Sequence, residues 1–291
     1  MWAKGLTDND KILQNKPFNA EIQQKSEYIM RFIFVSGKSL LRAMALTLLA
    51  VTVISVLAGT GAYSVFFGYA MKKLPIYYVK TDEKKIAISF DCAWGVDYTQ
   101  TLLSVMKDEN VKSTFFCVQF WTEKYPEILK KVYDDGHEIG THSASHPHMS
   151  KLGKSAITTE LKTSCDAIEK VTGKRPELFR PPFGEYSDNV IDVAKEQGLY
   201  VIQWDVDSLD WKNLSAKEIE NRVISRVKNG SIVLFHNQGL HTAEALPGII
   251  KGLKAQGYKF VPIGELIYKN GYKIAPDGAQ IKTNGNSLEE V

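Results

Sequence analysis

From Lys85 to Ile263 the chain repeats one pattern: a short apolar run rich in β-forming residues, then a stretch whose apolar residues recur at helical spacing. The runs are KIAISF (85–90), STFFCV (113–118), HEIGT (137–141), ELFR (177–180), LYVIQW (199–204), SIVLFH (231–236) and KFVPI (259–263). Strands separated by helices pair as parallel neighbours through right-handed crossovers, with both faces covered. Helix signals fall in the intervals. Pro126 opens PEILKKVYDDG and Gly136 ends it, Thr99 stands just before TLLSVMKDEN, and Ser215 stands three residues before Glu218 as a capping box. The stretch 85–270 is shorter than the about 250 residues of a full eight-unit barrel. The pattern therefore predicts an α/β domain built as a distorted seven-unit (β/α) barrel.

The residues before this domain obey a different rule. From Ala43 to Met71 there is no charged residue, and a helix of about 20 apolar residues crosses a bilayer. This reads as one transmembrane signal-anchor helix. Lys38 and Arg42 precede it and the tail before them carries more Lys and Arg than Asp and Glu, so residues 1–42 are expected in the cytoplasm. The chain after Lys72 is expected outside, as a single-pass protein of the cell membrane. A cleaved secretory signal starting at Met30 is the rival reading. Residues 72–84 read as a stalk, and the polar, Gly- and Asn-rich residues 271–291 as a loose tail. A net charge of +3 with both signs interspersed gives no reason to expect a nucleic-acid partner.

Placed on the strand–helix alternation, the chemically active side chains gather at one end. Asp91 follows the first strand, His142 and His146 the third, Arg180 the fourth, Asp205, Asp207 and Asp210 the fifth, and His236 the sixth. In parallel α/β barrels the carboxyl ends of the strands converge on one reactive face. His142 and His146, four apart in HSASH, are spaced to reach one metal ion, with His148 expected at the rim. Asp91, at the end of an apolar strand, suits a general base, and Arg180, fixed by two prolines in FRPPFG, is its natural partner. His236 suits a general acid oriented by Asp210, with Asp207 or Asp205 as alternatives. Trp211 and Leu234 read as core or as the wall against which a small acyl methyl packs. His241 and Asn237 lie just beyond the sixth strand. Cys117 and Cys165 read as small buried hydrophobes.

The motifs SFDCAWG, HSASH, RPPFG, DSLDW and VLFH occur in the order found in polysaccharide deacetylases of carbohydrate esterase family four, the NodB-homology domain, which the chain resembles from Ile86 to about Leu266. WDVDSLDW and GLHTAE are most similar to PdaB-type sporulation deacetylases. The resemblance implies metal-dependent hydrolysis of the N-acetyl group of N-acetylhexosamines in peptidoglycan or a related N-acetylated glycan. It implies a divalent metal, usually Zn2+, on His142 and His146, Asp91 as base tuned by Arg180, and His236 as acid supported by Asp210. The backbone N–H of Phe183 would hold the oxyanion. The family's second aspartate, its third metal ligand, is replaced by Cys92. A thiolate there is one expectation; Asp97 in GVDYT is another, and a catalytically weak glycan-binding or scaffold protein of the same fold is the alternative to an enzyme.

Overall fold

The computed structural model describes residues 37–59 and 72–283, which fall in two compact units divided between Met71 and Lys72. In the first unit one helix, α1 (Gly37–Gly59), carries the apolar run. Its segment Lys38–Val56 has a mean hydropathy of 2.0 and exposes its side chains, so it is long and apolar enough to cross a membrane. Thr47 and Thr52 donate their hydroxyls to the carbonyls of Ala43 (2.6 Å) and Leu48 (2.7 Å), satisfying both donors within the helix. The helix begins at Gly37, ahead of the uncharged run expected from Ala43, because Lys38 and Arg42 bound the apolar stretch while favouring helical backbone. Residues 60–71 of the expected span lie outside the described residues, as do residues 1–36 of the segment expected in the cytoplasm.

The second unit is a curled sheet of short parallel strands flanked by helices. Its strands are β2 (Lys85–Cys92), β3 (Thr114–Cys117), β4 (Glu138–Thr141), β5 (Leu178–Phe179), β6 (Tyr200–Val201), β7 (Val206–Asp207), β8 (Ile232–His236) and β9 (Lys259–Phe260). They run in the order β6-β5-β4-β3-β2-β8-β7, with β9 on the start of β2. The helices between them are α2 (Thr99–Asp108), α3 (Gln119–Lys124), α4 (Pro126–Asp134), α5 (Lys154–Thr172), α6 (Asp188–Glu196), α7 (Ala216–Arg226), α8 (Thr242–Ala255) and α9 (Ile263–Leu266). The expected capping box is present on α7, where the Ser215 and Glu218 side chains bond each other's backbone.

Eight strands replace the seven expected because the run 199–204 does not stay in one ladder. The Ile202 N–H bonds Phe179 on the β5 side, whereas the Asp205 N–H bonds Ile232 of β8, so the segment passes from one end of the sheet to the other. Between them Gln203 donates to the carbonyl of Ile76 at 2.7 Å. That contact also overturns the stalk. Ile76 and Val79 are buried, Ile76 bridges Ile202 in parallel, and β1 (Tyr78–Val79) pairs with a C-terminal hairpin of β10 (Tyr272–Ile274) and β11 (Ala279–Lys282). The tail expected to be loose is therefore ordered to Thr283, its backbone donors and acceptors satisfied by the strand it clasps; residues 284–291 lie outside the described residues.

Two-residue periodicity divides the sheet into an outer and an inner face. On β2, Ile86, Ile88, Phe90 and Cys92 enter the large apolar cluster under the helices, joined by Phe115 and Cys117 of β3 and by Leu246, Ile249, Ile250 and Leu253 of α8. Ala87 and Phe116 belong to a second cluster, with Ile76, Val79, Leu178, Ile202 and Ile232. Asp91 and Ser89 share the Ala87 side of the strand. This alternation decides which residue at the end of β2 can reach a site.

Seating of β1 turns on Gly230, whose φ of +78° suits glycine and whose missing side chain leaves room for the Val79 carbonyl, 1.7 Å from where a Cβ would stand. Gly230→Ala is expected to lower the stability of the second unit by about 2–4 kcal/mol, a clash combined with a strained backbone. Thermal denaturation of the full chain in detergent measures it, and a loss below about 0.5 kcal/mol would mean that residues 76–79 do not pack as described.

Candidate active site

Parallel register brings the first pair together. Asp91 and His236 are direct neighbours across β2 and β8, each the residue at which an apolar strand opens into a loop. Asp91 is buried, and its Oδ1 accepts a hydrogen bond from Arg180 Nη1 at 2.8 Å. Arg180 itself is fully buried. Its Nη2 donates to Ser89 Oγ (2.8 Å) and to the Gln203 carbonyl (3.2 Å), and the guanidinium lies 4.1 Å over the Phe116 ring. Burial pushes the Asp91 carboxyl up, but the charges of Arg180, His142 and His236 outweigh it and hold the group below its ordinary value. Asp91 is thus an ionised base in a dry place.

The second pair is built on a polar turn. Asp210 is fully buried between two left-handed residues, Leu209 (φ 57°) and Asn213 (φ 54°). Its Oδ1 accepts from His236 Nδ1 at 2.8 Å, and its Oδ2 accepts from the His236 N–H (2.8 Å) and Thr242 Oγ1 (2.6 Å). Gly239 is required beside it, because a Cβ would stand 2.6 Å from Asp210 Oδ2. With Nδ1 committed to Asp210, Nε2 is the nitrogen of His236 left for the cleft. Burial opposes the imidazolium, yet the hydrogen bond and charge of Asp210, with Asp91 and Asp207, raise its pKa above the usual 6.5. The alternatives separate cleanly. Asp205 accepts from Ser231 Oγ and the Ile232 N–H at the other end of β8, and Asp207 caps the Leu209 N–H at 2.8 Å.

His142 follows β4, its N–H on the Cys117 carbonyl and its Nδ1 donating to the Arg180 carbonyl at 2.6 Å. A carbonyl only accepts, so the neutral ring has a bare Nε2, which lies 3.5 Å from Asp91 Oδ2. His146 has φ 57° and sits with its ring centre 5.0 Å from that of His142. Burial and the neighbouring His142 lower its pKa to about 4, so both imidazoles are neutral near pH 7. The loop between them is pinned by a residue that sequence reasoning missed. Glu160 on α5 accepts from the N–H groups of Ala144 (2.9 Å) and Ser145 (2.8 Å) and from Ser145 Oγ (2.7 Å). Its signal in the sequence is faint, one acid among several in a helix of mixed charge. Ser89 was more legible, two residues before Asp91 on one strand face.

Asp91, His142, His146, Asp210, His236, Phe183, Trp211 and Leu234 all line one cleft of about 690 Å³. Leu234 forms buried wall, but Phe183 and Trp211 are exposed at the rim rather than core. His148 stacks on Phe183 and bonds Glu185, as expected of a rim residue. Asn237 is buried, tying β8 to the Gly95 carbonyl and Thr99, and His241 pairs with Glu244 outside the cleft. Cys92 is the residue the structure moves. Alternation turns its side chain away from Asp91 into the helix-covered core, fully buried beside its register partner Cys117, and burial raises its thiol well above the ordinary range. Asp97 is exposed and bonds Gln238. Two neutral imidazoles suit a cation, yet among the described residues no cluster of three or more His, Cys, Asp and Glu is placed to hold a metal. The donor set does not fit the three-protein-ligand site that the motifs led us to expect.

Two outcomes are expected. Cys92→Ala removes a buried sulfur, costing about 1 kcal/mol in thermal denaturation, and leaves zinc uptake by the full chain unchanged. Loss of zinc uptake equal to that of His146→Ala would restore the sulfur as a ligand. Glu160→Ala frees the Ala144 and Ser145 amides to exchange faster with deuterium; unchanged exchange would remove Glu160 from the site.

A family model for polysaccharide deacetylases matches residues 78–202. The chain is 36% identical over 193 residues to the uncharacterized protein YlxY of Bacillus subtilis, covering 66% of this chain and 60% of that protein. It is also 36% identical to a peptidoglycan-N-acetylglucosamine deacetylase of Bacillus cereus, over 66% of this chain and 92% of the relative. Among solved structures it matches a CE4 family pseudoenzyme from Bacillus anthracis with a TM-score of 0.64 and 34% identity, over 66% of this chain and 68% of the other. With this similarity over a curled parallel sheet that places the five motifs around one cleft, the chain belongs to the polysaccharide deacetylase family, CE4.

Proposed function

We propose that the protein hydrolyses the N-acetyl group of N-acetylhexosamine residues in peptidoglycan or a related cell-wall glycan, releasing acetate and a free amine. The observation that carries this reading is the register of Asp91 with His236, each braced by its own buried partner, across a cleft open to solvent. Asp91, ionised, takes a proton from the attacking water; the acetamide carbonyl becomes tetrahedral; His236, protonated, donates to the departing nitrogen. The N–H of Phe183, in a left-handed turn (φ 58°) after two prolines, is the proposed donor to the oxyanion. Leu234 and Trp211 would flank the acetyl methyl. Arg180 and Asp210 touch no reacting atom and act as positioning residues.

Zinc enters only as the ion to be tested, because among the described residues no cluster of three or more metal-ligating side chains includes His142 and His146. Anchoring by α1 with the second unit outside the cytoplasm belongs to the same proposal, supported by the length and hydropathy of that helix. So does a role in spore or cell-wall maturation, supported by the segments that resemble PdaB-type proteins. The second reading is a glycan-holding protein with little turnover, favoured by the inward turn of Cys92 and by the likeness to a pseudoenzyme.

Acetate release from peptidoglycan or N-acetylglucosamine oligomers by the full chain, with and without added zinc, separates the two. Turnover above a His236→Ala control is expected; none under any metal supports the second reading. The pH profile follows from which form each group must hold. His236 must carry its proton, and Asp210 raises its pKa, so activity persists from the acid side and is lost as pH rises through a value above 6.5. Asp210→Asn is expected to move that alkaline limb to lower pH and to cut kcat by about 10²-fold. An unmoved limb would show that another group is the acid.

A further inference from the structure

The rim of the cleft carries more aromatic surface than the proposed hydrolysis uses. Within the second unit most large apolar side chains are buried, yet Trp94, Phe183 and Trp211 are 62%, 57% and 54% exposed, and all three line this cleft. Aromatic surface left in water around a concave site marks a ligand contact. Phe183 and Trp211 have parts in the reaction proposed above; Trp94 has none.

Trp94 is also held. Its indole meets the His146 ring edge-on at 5.0 Å, and Phe183 meets the same imidazole at 4.6 Å. The next residue, Gly95, has φ +60°, and a Cβ there would lie 2.7 Å from the Gln238 side chain, so the turn that presents the indole is set by the backbone. Restraint of a large exposed ring lowers the entropy lost when a ligand covers it.

The polar groups lining the cleft narrow the choice of occupant. They are carboxylates, imidazoles and amides, with Asp207, Asn213 and Gln238 in the set, and among the described residues no Lys or Arg lines the cleft. Lys212 comes near through its ammonium, 4.8 Å over the Trp211 ring. Flat apolar faces edged by amides, imidazoles and carboxylates match a neutral pyranose, which has a C–H face and a rim of hydroxyls that donate to carboxylates. An anionic sugar would meet carboxylates.

We propose that Trp94 stacks on a second ring of a neutral N-acetylhexosamine chain, next to the ring between Asp91 and His236, so that the site selects oligomers over single sugars. The location of the first ring rests on the deacetylase reading; the binding itself does not require turnover. Calorimetry with the full chain in detergent, using tetraacetylchitotetraose and N-acetylglucosamine as probes, tests it. Trp94→Ala is expected to weaken the tetramer about tenfold while changing the monomer less than twofold, or leaving it unmeasurably weak as in the unaltered chain. Trp94→Phe, which keeps a flat face against His146, is expected to retain most of the tetramer affinity. An equal loss for both probes, no loss for the tetramer, or no tetramer binding to the unaltered chain overturns the proposal. So does a de-peptidated glycan bearing free lactyl carboxylates that binds as tightly as the neutral tetramer. Tetramer binding that depends on Trp94 without any acetate release would sink the deacetylase reading and leave this one standing.

Discussion

An arginine and an aspartate buried together at the mouth of the sheet set the conditions for everything around them. Arg180 is wholly inaccessible, and a charge there is tolerated only with close partners of opposite sign and enough acceptors for its fork. Asp91 supplies the charge; Ser89 and the Gln203 carbonyl supply the acceptors; Phe116 covers the face. These contacts draw on four segments distant in sequence, so holding one guanidinium by its two terminal nitrogens aligns the ends of β2, β3 and β5 and the crossover 202–205, while its buried Nε finds no partner among the described residues. The Arg180 carbonyl then orients His142, so the same residue tunes the proposed base with its side chain and fixes an imidazole with its backbone.

The distribution of chemistry around that pair is a consequence of strand periodicity. Ser89 and Asp91 share one face of β2 while Phe90 and Cys92 share the other, packed under α2 and α8 with Phe115 and Cys117. A one-residue difference at the end of an apolar strand therefore separates a group in the cleft from a group in the core. Asp91 and Cys92 would face one site only if the chain left the strand between them. Here Cys92 is still paired with Cys117, and β2 continues through it.

That is also where reading the sequence stopped short. Asp91, His142, Arg180 and His236 are legible because each is a polar residue at the end of an apolar run or just past it, and parallel strands put such ends on one face; Asp210 stands in a polar turn with Asp205 and Asp207 nearby, and its contacts single it out. Cys92 is a candidate ligand, beside Asp97, only through its motif neighbours, whereas the two-residue period places it opposite Asp91. Residues 72–84 read as a stalk from their mixed charges, and residues 271–291 as a loose tail for want of a periodic apolar face. Their order comes instead from backbone pairing, Ile76 with Ile202 and Tyr78–Val79 with Ala279–Gln280, which leaves no mark in side-chain pattern. Glu160 escaped because its partners are the amides of Ala144 and Ser145, and a helix surface full of Lys and Glu hides the one carboxylate turned toward a loop.

The weighing of enzyme against inert relative comes down to what a binding cleft needs. A groove that only holds sugar is served by aromatic faces and neutral hydrogen-bonding groups, and burying ions in its floor would work against it. This cleft buries two: Asp91 on Arg180, and Asp210 on His236. Their environments shift the two groups that face the cleft in opposite directions, the Asp91 carboxyl down and the His236 imidazolium up, leaving one ionised and one protonated over the same range of pH. Opposed shifts on neighbouring groups are the requirement of proton transfer out of one partner and into another. They have no use in stacking a pyranose ring. The turn of Cys92 into the core leaves this pair intact, and the pair is what supports the proposed hydrolysis over a holding role.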